Sequence, residues 1–110
     1  MQQIVVRIAP DILLGLVLAI PSALVAQSDA AKVYKANCVL CHSADGSGDS
    51  TTGRALKAKD LRSDEIQKKS DAELAEVITK GKGKMPAFGA KFSPDVIKSL
   101  VTYIRELAKK

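Results

Sequence analysis

Both cysteines and the only histidine of this 110-residue chain fall in five consecutive positions, Cys38-Val39-Leu40-Cys41-His42. On a helix, positions i, i+3 and i+4 share one face. Two sulfurs and an imidazole therefore converge on one side of a single turn, and the rest of the chain must fold around whatever they hold. A zinc site would need a fourth ligand, and no other cysteine or histidine exists to supply it.

The remainder of the sequence is small and unevenly apolar. Ile12 to Ile20 reads ILLGLVLAI, preceded by Arg7 and followed by the small-residue stretch Pro21 to Ala26. That order, a positive start, a short apolar run and a cleavable small-residue segment, predicts a secretory signal over residues 1–27, cut just after Ala26 or Ser28. A spanning helix needs about 20 apolar residues, and Pro10, Asp11 and Pro21 interrupt any longer window, so stable membrane insertion is not expected. Removing 1–27 takes away one Arg and one Asp and leaves a net charge of +5. The expected exported domain, residues 28–110, is then too short to build a large core. A chain of that size usually needs a disulfide, metal or cofactor to hold it. Composition excludes the collagen-like, disordered and disulfide-scaffold classes, with Gly 7, Pro 4 and Cys 2. Only four aromatic residues are present, Tyr34, Phe88, Phe92 and Tyr103.

Three helices and no strand are predicted. The first runs from about Asp29 to Cys41 with Ser28 as N-cap, and Ala30, Val33, Tyr34, Asn37 and Cys41 form one face. The second opens at Ser70 with the capping box Ser70-Asp71-Ala72-Glu73 and stops at Gly81. The third has Ser93 as N-cap and Pro94 at its first position, with Val96, Ile97, Leu100, Val101, Ile104 and Leu107 as its apolar stripe. Ser43 to Lys69 reads as loop, as does the glycine-punctuated stretch Gly81 to Gly89. Three narrow stripes enclose little by themselves, so something else must occupy the centre.

C-x-x-C-H is the attachment pattern of c-type haem: two thioethers to the porphyrin, from Cys38 and Cys41, and a proximal imidazole, His42. The competing reading is a dithiol exchange pair, which expects alternating strands and helices. A sixth iron ligand follows by elimination. His42 is unique, both cysteines are used, Met1 leaves with the signal, and Met85 is the remaining thioether.

On these residues the chain resembles class I cytochromes c: small soluble bacterial carriers, the photosynthetic carriers of algae, and haem domains attached to terminal oxidases. The resemblance covers about residues 29–108 and rests on Tyr34 to His42, on Gly81-Lys82-Gly83-Lys84-Met85-Pro86-Ala87-Phe88, and on the closing helix with Leu100 and Tyr103. It implies an all-α fold of three main helices and loops around one covalent haem c, with His42 and Met85 axial. It also implies a crossing of the first and last helices through Tyr34 against Leu100 and Tyr103. Two departures stand out. Ala30 replaces a glycine usual at that crossing. No proline lies between His42 and Lys84, so the carbonyl that orients the ligating histidine is expected instead from the Thr51–Leu56 stretch.

An iron with both axial positions filled has no place for substrate, which predicts a one-electron carrier rather than an enzyme. A haem enzyme or gas sensor with a labile sixth position is the alternative. Leu56, Leu61, Leu74, Ile78, Phe88, Ile97 and Val101 are candidates for the lining. Lys80, Lys82, Lys84 and Lys91 are candidates for steering redox partners with acidic docking surfaces, and Arg54, Lys57 and Arg62 for the propionates. The expected setting is the periplasm, as a monomer in a respiratory chain. Nucleic-acid binding is not expected, since basic and aromatic residues do not interleave.

Overall fold

In the computed structural model, residues 4, 15–19 and 22–110 are described, with side chains in the first helix described from Asp29 onward. The predicted signal segment, 1–27, lies largely outside them. Leu16, Val17 and Leu18, within its apolar run, are almost fully exposed.

Among the described residues six helices follow one another: α1 (Ser22–Asn37), α2 (Val39–His42), α3 (Thr51–Leu56), α4 (Asp64–Gln67), α5 (Asp71–Lys80) and α6 (Pro94–Leu107). Among the described residues no strand forms, only an isolated antiparallel bridge between Lys82 and Met85. The all-α class is therefore as predicted, with differences in detail. The first helix starts at Ser22, so Ser28 lies inside it and is not its N-cap. It also ends at Asn37: Cys38 is a turn residue at φ −117°, and α2 is a separate short helix. The two are nearly continuous, because Cys38 N–H still donates to the Tyr34 carbonyl at 2.8 Å.

The second and third predicted helices are α5 and α6. Ser70 accepts from the Glu73 N–H while the Glu73 carboxylate accepts from the Ser70 N–H, so both halves of the capping box are made. Ser93 accepts from the Val96 N–H, with Pro94 in the first turn. The stretch read as loop holds α3 and α4, each opened by a serine cap, Ser50 on Gly53 and Ser63 on Ile66. Serine at these positions satisfies N–H groups that a helix start leaves without partners.

Helix α6 is the central element, packing on α1 and on α5, while α2 packs on α3. At the α1–α6 crossing Ala30 is 1% exposed, so the methyl in place of hydrogen is accommodated in close contact. Tyr34 and Tyr103 meet there with ring centroids 4.9 Å apart, tilted by 45°. The core joins Tyr34 to the α6 stripe of Ile97, Leu100, Val101, Ile104 and Leu107, and to Leu61, Ile66, Leu74 and Ile78.

Candidate functional site

Along one side of this core lies a cleft with some 960 Å³ of atom-free space, part of it open to solvent. Its wall brings together residues far apart in sequence. Cys38 and His42 come from the α1–α2 junction, Leu74, Val77 and Ile78 from α5, Met85 and Phe88 from the following loop, and Leu100 and Ile104 from α6.

Of the four residues singled out by the sequence, Cys38, His42 and Met85 line the cleft. Cys41 is half-buried and outside the wall, and both thiols are free. Burial, and secondarily the neighbouring Cys41, push the Cys38 thiol up to about 11. An exchange nucleophile requires the opposite, a lowered thiol pKa, so the dithiol reading loses its chemistry as well as its expected strands. Among the described residues no group of His, Cys, Asp or Glu side chains is arranged to hold a metal ion.

His42 is held by its ring: Nδ1 lies 3.0 Å from the Lys59 carbonyl. A carbonyl can only accept, so Nδ1 carries the proton and Nε2 keeps a free lone pair, the form an iron ligand needs. The acceptor is thus Lys59 and not a carbonyl of Thr51–Leu56, which turn away into α3. Tyr34, at the back of the cleft, donates its hydroxyl to the Ser43 carbonyl at 2.7 Å. Burial, followed by the nearby Cys38, keeps its phenol protonated well above the ordinary tyrosine range.

Met85 is placed by a loop sewn to α5. The Phe88 and Gly89 N–H groups donate to the Ile78 and Thr79 carbonyls at 2.9 and 3.0 Å, the last turn of that helix. Lys82 and Met85 exchange two backbone bonds across a tight turn. Gly81 (φ +74°) begins it, and a Cβ there would meet the Met85 carbonyl at 2.7 Å.

Other expected residues are redistributed. Leu61, Leu74, Ile78 and Phe88 line the cleft as expected, whereas Ile97 and Val101 are buried behind its wall and Leu56 is 38% exposed at the end of α3. Of the four lysines bracketing Met85, Lys82 reaches the wall. Lys80 pairs with Glu76, and Lys91 donates to Asn37 at 2.6 Å. Arg54 and Arg62 are engaged by Asp49 and by Asp60 and Asp45, and neither they nor Lys57 line the cleft. The lining cations are Lys59, Lys69 and Lys82. Lys59 and Lys69 were missed because they flank a four-residue helix with no periodic signature, although Ser63 three residues before Ile66 was a readable cap. A haem fits this wall chemically: apolar faces, a thiol in the wall and a second one turn on, one imidazole with a free nitrogen and one thioether.

These features define a small class I c-type cytochrome, and the chain is a c-type haem electron carrier. It belongs to the family described as cytochrome C oxidase, cbb3-type, subunit III, which matches residues 25–104. It is 38% identical over 82 residues to a cytochrome c6 of Gloeothece citriformis (strain PCC 7424), covering 72% of this chain and 69% of the relative. A cytochrome c6 of Leptolyngbya boryana is 37% identical over 79 residues, covering 72% and 89%. The FixP subunit of the cbb3-type oxidase of Azorhizobium caulinodans is 35% identical over 79 residues, which are 70% of this chain but only 26% of FixP. Among solved structures, the KustC0563 c-type cytochrome superposes with a TM-score of 0.63 at 33% identity, covering 71% of this chain and 95% of that one.

Proposed function

We propose that the chain carries one haem c, tethered by thioethers from Cys38 and Cys41, with His42 Nε2 and the Met85 sulfur as axial ligands, and that it moves single electrons without catalysing a reaction. The observation that carries this reading is the convergence of Cys38, His42 and Met85 on one apolar cleft, with His42 already oriented by the Lys59 carbonyl. The haem supplies the ferric–ferrous couple. The residues of the chain set its conditions. A thioether ligand favours ferrous iron and raises the potential. An apolar wall disfavours the extra positive charge of ferric haem and acts in the same direction.

Partner choice follows from charge. The stretch Gly81–Phe92 contains Lys82, Lys84 and Lys91 and no carboxylate. Such a face steers acidic docking surfaces mainly through the on-rate. Likeness to a cbb3-type oxidase subunit and to cytochromes c6 supports larger redox complexes as donor and acceptor. We assign residues 1–27 to a cleaved export signal and residues 28–110 to a monomeric periplasmic domain. Exposure of Leu16, Val17 and Leu18 supports this, since none of them joins the core. No helix among the described residues is long and apolar enough to cross a membrane.

The test is the protein matured in an exporting host. Intact mass should show the added porphyrin and the loss of the leader, and the ferric spectrum should be low-spin with a weak far-red thioether band. Met85→Ala should abolish that band, open the iron to carbon monoxide and lower the midpoint potential. An unchanged band and midpoint in Met85→Ala would remove Met85 from the ligand set.

A further inference from the structure

Arg105, on α6, is only 24% exposed and has its guanidinium fully engaged. Nη1 donates to the Gln67 carbonyl at 2.9 Å and reaches Gln67 Oε1 at 3.5 Å. Nη2 donates to the Lys69 carbonyl at 2.6 Å, and Nε and Nη2 share Asp71 Oδ1 at 3.1 and 2.9 Å. A planar fork serves two carbonyls two residues apart, as a compact ammonium does not. The Gln67 carbonyl is at the end of α4, where a helix leaves acceptors without partners, and the Lys69 carbonyl lies just beyond it. Asp71 is 79% exposed, so the ion pair itself contributes little. The carbonyl bonds distinguish this residue from the other surface cations.

The chain of contacts continues inward. With Oε1 turned to the guanidinium, the Gln67 amide nitrogen donates to the Leu61 carbonyl at 2.6 Å and lies 3.4 Å from that of Ile104. Leu61 is held from its other side too, its N–H on the Gly46 carbonyl at 2.7 Å. Two residues upstream is the Lys59 carbonyl that takes His42 Nδ1. The segment 59–69 thus begins at the acceptor of the imidazole and ends under the guanidinium, and Leu61, Ile66 and Lys69 on it line the cleft.

We propose that Arg105, acting through Gln67, is a positioning residue for the haem: it holds segment 59–69 so that the Lys59 carbonyl stays on His42 Nδ1. The inference rests on His42 being an axial ligand. A carbonyl on Nδ1–H makes the ligating nitrogen more basic, which favours ferric iron, so loosening the segment raises the midpoint potential.

The experiment uses the haem-loaded protein with two variants. Arg105→Lys keeps the charge and loses the fork; Gln67→Met keeps the bulk and loses the amide. In both, the midpoint should rise and the His42 Nδ1–H should exchange about tenfold faster or more, the local opening implied by losing partly buried hydrogen bonds. Asp71→Asn should leave both readouts unchanged. Parental midpoint and exchange in both variants, with only a loss of stability, would overturn the inference and leave Arg105 a structural tie. If Arg105→Lys fails to fold, Gln67→Met decides alone. A parent protein that takes up no haem would overturn this inference together with the ligation it rests on, which separates the two failures.

Discussion

Ser43 follows His42 directly and adopts φ 67°, ψ 163°, a region that is essentially glycine's own. Four bonds hold it there: its N–H donates to the Val39 carbonyl, its carbonyl takes the Tyr34 hydroxyl and the Gly46 N–H, and its hydroxyl takes the Ser50 N–H at 2.9 Å. Strain of this kind costs about 1–3 kcal/mol, while loss of the hydroxyl costs about 1–2 kcal/mol by leaving the Ser50 N–H unpaired. Ser43→Ala should therefore lower stability, since it loses the acceptor and keeps the strain. Ser43→Gly loses the same acceptor but relieves the strain, and should lie closer to the parent in chemical denaturation. The reverse order would mean that the unusual backbone carries no strain. None of this was legible in the sequence, and neither was the Lys59 carbonyl on His42. Backbone atoms carry no residue code, and the absence of proline between His42 and Lys84 removed the one side chain that would have marked the acceptor. Cysteine, histidine and methionine were legible because their chemistry is rare: one histidine and two methionines exist in the whole chain.

Among the elements, α5 and α6 could be read because each carries both a cap and a stripe. Helices α3 and α4 could not, because four to six residues give no period. Their existence depends on tertiary contacts, as at Gly53, which is buried where a Cβ would run into the carbonyls of Cys41 and Gly48. The break at Cys38 escaped for the same reason: the helical face from Ala30 to Cys41 persists in pattern although the backbone turns. Helix α5 separates two effects that a single stability measurement would merge. Ser70→Ala removes one side of the capping box and should cost about 1 kcal/mol of global stability, with the far-red band intact. Gly89→Ala acts elsewhere, because a Cβ there would meet Thr79 Cγ2 at 2.8 Å and the Thr79 carbonyl at 3.0 Å. It should pry the Met85 loop from α5 and weaken the far-red band. Comparing the denaturation midpoint with the band intensity in the two variants checks this. Equal loss of the band in both would mean that the loop depends on α5 as a whole and not on this contact.

For the whole molecule, the decisive fact is that the cleft and the core share their side chains. Residues from α1, α2, α5 and α6 line the cleft, and Tyr34, Leu61, Leu74, Ile78, Leu100 and Ile104 belong to its wall and to the core alike. Apolar side chains on such a wall gain full dispersion contact from the group that seats against them, and a domain of this length has little other surface to bury. The haem is therefore expected to supply structure as well as redox chemistry. The Cys38→Ser, Cys41→Ser double variant, prepared free of haem, should keep part of its far-UV helical signal from the well-capped α5 and α6. It should lose near-UV tyrosine signal as the Tyr34–Tyr103 contact loosens, bind a hydrophobic dye, and melt without a sharp transition. The haem-loaded parent should unfold in one cooperative step. A sharp melt and no dye binding in the haem-free variant would show that the α6 stripe and Tyr34 suffice to close the fold, and that the cleft is a preformed cavity rather than a core completed by its ligand.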